Sequence, residues 1–238
     1  MKCGRDTEMT SIQQAIEEIR TELPEGVRLI AVSKTHPASF IREAYEIGQL
    51  DFGENKVQEM TEKAQTLPKD IRWHLIGHLQ TNKVKYIAPF VYMIHSVDSP
   101  KLLETIEKEA VKANRIIRCL LQIHIAKEET KFGLSPEELT ALLESGILAK
   151  LTHIEVCGLM AMATNTDDEA EISAEFEAVH QMFQNVKKEY FEDKPNFCEL
   201  SMGMSGDYTE AVRHGSTYVR IGSKIFGQRD YTNQKSAK

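Results

Sequence analysis

Eight short apolar runs recur along the chain, and together they restrict what it can fold into. They are RLIAVS (28–33), LDFGE (50–54), RWHLIGH (72–78), VYMIHSV (91–97), IIRCLLQIHI (116–125), HIEVCGLMAM (153–162), FCELSMG (197–203) and TYVRIG (217–222). Each has the length of a strand, and most are rich in β-branched residues. The segments between them carry helical spacing instead. It is clearest over 168–191, where Ile172, Phe176, Val179, Phe183, Val186 and Tyr190 recur at steps of three and four. Ser99-Pro100 and Ser135-Pro136 each set an N-cap residue before a proline, and Glu138 completes a capping box with Ser135. A further amphipathic segment, 9–22, precedes the first strand.

Eight strands alternating with helices over about 230 residues fit an α/β chain closed as a single-domain TIM-type (β/α)8 barrel with an extra N-terminal helix. An open doubly wound sheet is the alternative, since one miscounted strand would restore it. No GxGxxG follows the first strand, so a dinucleotide fold has no positive support. The barrel is expected to span 9–230, with 1–8 and 231–238 as flexible tails.

Composition narrows the function classes. Of 238 residues, 41% are hydrophobic and 27% charged, and the formal charge is −7. That balance is ordinary for a globular protein and argues against nucleic acid as a partner. The basic stretch Gln80–Lys85 reads as a solvated helix face or, alternatively, as a phosphate contact. No apolar run approaches the ~20 residues of a membrane helix. The start, MKCGRDTEMTS, lacks the apolar core of a signal peptide, so a cytoplasmic location is expected. Cys3, Cys119, Cys157 and Cys198 have no close pairing, which gives no disulfide or zinc framework.

In such barrels the chemistry gathers at the C-terminal ends of the strands. Here those ends bring Ser33-Lys34, Gly53-Glu54-Asn55, Gly77-His78, Gly158-Leu159-Met160-Ala161, Ser201–Gly206 and Arg220–Ser223. The last two are small, glycine-rich and hydroxyl-bearing. They suit either a phosphate cradle or merely tight strand-to-helix turns. Strand one of a closed barrel neighbours strand eight. Alternation sets Ile30, Val32 and Lys34 on one face, and Tyr218, Arg220 and Gly222 on one face of strand eight. If both face inward, Lys34 stands beside Arg220 at the mouth, where a neighbouring guanidinium and partial burial favour the nucleophilic amine. A lysine next to a phosphate pocket points to a Schiff base with a phosphorylated aldehyde, of which pyridoxal 5′-phosphate (PLP) is the common one. A lysine that snorkels to solvent at a strand end is the plain alternative.

The stretches AVSKTHP, DFGENKVQE, WHLIGHLQTNKVK, HSVDS, KFGL, GLMAM, LSMGMSGDYTEAV and VRIGSKIFG, in this order, resemble the pyridoxal phosphate homeostasis proteins. The fold of that family looks like the N-terminal barrel domain of alanine racemase. The resemblance runs from about residue 9 to 230. It implies that Lys34 is the lysine linked to PLP, that Ser201, Gly222 and Ser223 contact the phosphate, and that Arg220 faces the pyridine nitrogen. It also implies that Asn55, Met160, Ser205 and Gly203 line the pocket. An arginine there favours an unprotonated ring nitrogen and weakens the electron sink. Racemisation needs a second acid/base on the opposite face. Alanine racemases take it from a further domain, for which a chain ending at Lys238 is expected to have no room.

The resemblance therefore implies intracellular PLP homeostasis with negligible turnover. The alternative is a PLP-dependent, racemase-like enzyme, with phosphosugar aldolase chemistry a weaker third. Expected partners are PLP and PLP-dependent apoenzymes, with a monomer or weak homodimer. No metal is expected: His74 and His78 share a strand face without an evident third ligand, and read as core-capping or pocket-lining residues. His36 reads as a proton-transfer aid or as turn packing before Pro37. Trp73 is expected between barrel and helices, and Lys224 to point outward.

Overall fold

The computed structural model describes residues 8–128 and 132–228. Helix α1 (Ser11–Glu22) leads into β1 (Arg28–Val32), α2 (Ala38–Glu46), β2 (Asp51–Glu54), α3 (Val57–Thr66) and β3 (Arg72–Leu75). A 3-10 turn at Thr81–Lys83 opens α4 (Val84–Ile87), followed by β4 (Met93–Val97), α5 (Pro100–Ala113), β5 (Ile117–Ile123) and α6 (Pro136–Glu144). The chain continues through β6 (Ile154–Ala161), α7 (Glu169–Tyr190), β7 (Glu199–Ser201), α8 (Tyr208–Arg213), β8 (Tyr218–Ile221) and α9 (Ser223–Phe226). The strands are parallel and close in sequence order, with β8 paired to β1 through Arg28–Tyr218 to Ala31–Ile221. The open-sheet alternative is thereby removed. The expected tails fall outside the described residues, apart from residue 8, and so do Cys3 and Lys131 of the KFGL stretch.

Local chemistry starts the helices where the sequence marks them. Thr10 and Gln13 exchange side-chain and backbone bonds at the start of α1, and Ser135 and Glu138 do the same at α6. Ser99 caps α5 ahead of Pro100, and Asp168 Oδ1 accepts from the Ala170 and Glu171 amides at α7. Helix α1 lays Ile12, Ile16 and Ile19 into the core rather than standing off it. No described helix is long and apolar enough to cross a membrane.

Strand alternation divides the core in two. The larger part lies between strands and helices and includes Phe52, Trp73, Phe176 and Phe197. The barrel interior holds a smaller set, Ile30, Met93, Leu120, Cys157, Met160 and Tyr218. The sheet breaks register between β5 and β6, where Cys119 faces Val156 but Leu120 faces Gly158. Gly158 takes φ +153°, and a Cβ there would lie 1.7 Å from the Glu199 carbonyl oxygen, so only glycine fits this bulge.

Candidate functional site

A cavity of about 280 Å³ opens at the C-terminal end of the barrel. Its wall includes Lys34 and His36 after β1, Asn55 after β2, Ser205 after β7, and Arg220, Gly222 and Ser223 on or just after β8. Closure of β8 onto β1 pairs Arg220 with Ile30 and sets Lys34 and Arg220 on the wall of one cavity. Asn55, Ser205, Gly222 and Ser223 line the same space. The lips after β7 and β8 are tied together, because the Gly222 amide donates to Ser205 Oγ at 3.2 Å. A Cβ at Gly222 would press on the Val32 carbonyl oxygen at 3.1 Å.

Three expected site residues sit elsewhere. Met160 is wholly buried in the interior cluster, one step below the mouth, and Met162 on the same face is the methionine of β6's inward face that reaches the cavity. Ser201 is also wholly buried; it is bonded to Arg220 and His95 and does not border the cavity. Gly203 turns the chain at φ +88°, where a Cβ would meet Ala211 and Tyr208 within 2.8 Å. Its carbonyl accepts from the Arg220 amide at 2.9 Å, so it shapes the loop from behind. β7 ends at Ser201, two residues short of the predicted run, so Met204, Ser205 and Gly206 line the cavity instead.

The segment carrying Lys34 is clamped from behind. Lys63 on α3 donates to the Ser33 carbonyl (2.8 Å), Glu54 Oε1 (2.7 Å) and Glu59 Oε1 (2.7 Å). Glu54 also accepts from Ser33 Oγ at 2.6 Å, and Glu59 from the Thr35 amide at 2.6 Å. One ammonium thus pins the residues on both sides of Lys34. Thr35 itself holds φ +68°, a strained conformation for a β-branched residue, and its buried Oγ1 has no hydrogen-bond partner. Burial pushes the Glu54 carboxyl up to about 7, with Lys63 pulling the other way.

Arg220 is 3% exposed; Nη1 donates to Ser201 Oγ at 2.6 Å and Nη2 to the Ala161 carbonyl at 2.9 Å. Burial lowers its pKa to about 10, so it stays charged at neutral pH. Behind Ser201 the bonds continue to His95 (3.0 Å), His74 (2.9 Å) and Asp51 (2.9 Å). His74 is therefore a core residue. His78 pairs with Asp98 at 3.2 Å and stacks on Phe132 at 3.9 Å, outside the cavity wall. His36 lines the cavity and packs on Phe40 and Phe226, 5.9 and 5.3 Å between ring centres. Lys224 bonds the Tyr208 hydroxyl at 2.8 Å and lies over its ring, away from the cavity wall. Trp73 packs against Phe52 between strand and helix layers.

Sequence reasoning missed Lys63, Glu59 and His95, along with the wall residues Ile76, Met162 and Met204. For Met162 the signal was available, since it continues the inward face of β6 two residues past Met160. For Lys63 and His95 there was none, because their partners are distant in sequence.

The family described as "Alanine racemase, N-terminal domain" matches residues 8–230. The pyridoxal phosphate homeostasis protein of Vibrio alginolyticus is 36% identical over 239 residues, covering 94% of this chain and 100% of the relative. The human protein of the same name is 39% identical over 234 residues, covering 94% of this chain and 84% of the relative. Among solved structures, PipY of Synechococcus elongatus PCC7942 with PLP bound superposes with a TM-score of 0.83 at 38% identity. That match covers 91% of this chain and all of that one. The alanine racemase of Bartonella henselae gives a TM-score of 0.69 at 16% identity, a likeness of fold, and this chain matches 59% of its length.

Proposed function

The chain belongs to the alanine racemase N-terminal-domain family and, within it, to the pyridoxal phosphate homeostasis proteins, and from that premise we propose that its cavity binds PLP and holds it through Lys34. One observation carries the reading: the cavity that has both Lys34 and the buried Arg220 on its wall also has Ser205 and Ser223 there. The cavity lies near the lower end of the usual range for small-ligand sites, roughly 300–1,000 Å³. PLP bound there would supply an aldehyde carbon able to condense with a lysine amine, with release of one water.

This chain's residues then divide the work. Lys34 supplies the amine from a segment fixed on both sides by Lys63 and Glu59. Ser205, Ser223 and the backbone after Gly222 offer donors for a phosphate, and Gly222 leaves room for the approach. The role expected of Ser201 at the phosphate passes to Ser205. Arg220 is a charged donor on the neighbouring strand β8, which suits an unprotonated ring nitrogen.

The relatives' names and the cavity wall both support a holding role without steady turnover. Beyond Lys34 and Arg220, His36 is the titratable side chain on the wall, and it comes from the same turn as Lys34. Two further titratable side chains, His78 and Tyr218, sit outside the wall and beneath it and supply no second acid/base there. Recipients of the cofactor would be PLP-dependent apoenzymes.

The test is borohydride reduction of the PLP-loaded protein followed by peptide mapping. The label is expected on Lys34 and absent in Lys34→Ala; label on Lys224 would refute the assignment. Amino acids incubated with loaded protein in deuterated water should keep their chirality. Racemisation at enzyme-like rates, lost in Lys34→Ala, would favour the racemase-like reading instead.

A further inference from the structure

A single line of hydrogen bonds crosses the barrel from its floor to the cavity wall. Arg72 Nη2 meets Asp51 Oδ2 at 2.5 Å at the N-terminal end. Asp51 Oδ1 meets His74 Nε2 at 2.9 Å, and His74 Nδ1 meets His95 Nε2 at 2.9 Å. His95 Nδ1 meets Ser201 Oγ at 3.0 Å, and Ser201 Oγ meets Arg220 Nη1 at 2.6 Å. Both imidazoles and the serine have no solvent exposure.

The proton positions follow from the two ends. Asp51 is bonded by Arg72 and accepts, so His74 must present Nε2–H to it. A neutral His74 then accepts at Nδ1, which requires Nε2–H on His95. His95 in turn accepts at Nδ1 from the Ser201 hydroxyl, whose lone pairs are left for Arg220. Reversing the line would aim a bare His74 lone pair at a carboxylate. It would also give Ser201 Oγ two donors and leave its own proton without a partner. Burial favours the neutral state of both rings; at His74 the Asp51 carboxylate pulls the other way and the Arg72 and Arg28 charges add to burial, and at His95 Arg220 and Arg28 add to it, so that both are held below the usual imidazole range. Tyr92 and Tyr218 complete the surroundings, ring centres 5.3 and 5.5 Å from that of His74.

We propose that Asp51, through His74, His95 and Ser201, sets the direction of this relay and so fixes how Arg220 presents its guanidinium to the cavity. These four are positioning residues: they act on whatever the cavity holds only through Arg220. The inference rests on the PLP reading for what Arg220 faces, while the relay itself is independent of it.

Its first test therefore uses cofactor-free protein. With ¹⁵N-labelled histidine, two-bond correlations should show His74 and His95 both neutral and both protonated at Nε2 near pH 7.5. An imidazolium, or a proton at Nδ1 on either ring, overturns the relay. The second test loads PLP and titrates its visible absorbance. Asp51→Asn, His95→Leu and Ser201→Ala should each move the midpoint in one direction, by on the order of one pH unit. His95→Gln, which keeps one donor and one acceptor, should restore it. Variants that lose stability while the midpoint stays put would reduce these residues to packing and overturn the proposal. A chain with the expected tautomers that binds no PLP would instead refute the cofactor reading and leave the relay standing.

Discussion

Behind Lys34, in the layer between sheet and helices, the chain buries the charges of Lys63 and Glu54 with Glu59 at their edge; behind Arg220, inside the barrel, it buries two neutral imidazoles and a hydroxyl. Both supports hold a residue at the cavity, yet they use opposite chemistry. Glu59 keeps 24% of its side chain in solvent, so the ionic cluster reaches water at one edge. The interior line reaches it through Asp51 and Arg72 at the floor and through Arg220 at the cavity wall, with the imidazoles sealed between. Charge is tolerated where water or a full set of partners is within reach, and neutral tautomers take over where neither is.

The sharpest way to break this contrast is Lys63→Met. It would leave Glu54 and Glu59 facing each other around a vacated cation, and losing one partner of a buried pair costs about 3–5 kcal/mol. Urea unfolding should show that loss, and the double variant Lys63→Met/Glu54→Leu should recover a good part of it. A single variant within about 1 kcal/mol of the parent would show that the cluster holds nothing together.

Acidity separates the two supports next. Glu54 is raised from 4.5 to about 7 in the folded chain. Its contribution to stability is complete below about 4.5 and lost as pH rises through about 7. His74 and His95 are held below 6.5, so their contribution is present above 6.5 and lost as pH falls. The two trends oppose each other over the same window. Glu54→Gln removes one of them. Relative to the parent it should lose up to about 3 kcal/mol on acidification across that window. Parallel curves for parent and variant would exclude a titrating Glu54.

A smaller effect is expected inside the barrel. His95→Leu leaves His74 Nδ1 and the Ser201 hydroxyl proton without a partner, while Ser201 Oγ keeps its bond from Arg220, at about 1–3 kcal/mol, and should weaken the acid sensitivity. His95→Gln should lose less at pH 7.5. Equal losses in thermal or urea unfolding would show that ring volume, not the hydrogen bonds, matters at this position.

What the sequence made legible follows from period. Strand phase and the placing of Lys34 and Arg220 on one wall come from alternation at two residues, and the closure of β8 onto β1 from the count of eight strands. Depth along a strand does not. Met160 and Met162 share a face, and only the length of β6 decides which of them reaches the mouth. Ser201 and Ser205 look alike in sequence, but the turn at Gly203 buries one and opens the other. Lys63 reads as a solvated lysine on a helix, and His95 as an ordinary strand residue. Their roles are created by partners as much as 30 and 106 positions away, which no local pattern carries.

The finest test of the comparison is Thr35→Gly, because Thr35 joins Lys34 to the ionic cluster through its backbone alone. Its amide bonds Glu59 while its Oγ1 stays buried without a partner, so the side chain adds no hydrogen bond to the support. Glycine adopts φ +68° freely and would release about 1–3 kcal/mol of strain. It would also enlarge the unfolded ensemble, at about 0.4–1 kcal/mol, and give up the contacts of the threonine methyl. The net change in unfolding free energy should stay within about 1 kcal/mol of the parent. Cofactor retention is the informative readout beside it. If the cluster fixes Lys34 by holding residues 33 and 35 from behind, the glycine variant should keep its borohydride-trapped label, since both anchoring bonds remain. A variant of parental stability that no longer traps the label would instead place the constraint in the strained turn itself, and Lys63 would be a stabilising residue with no hold over Lys34.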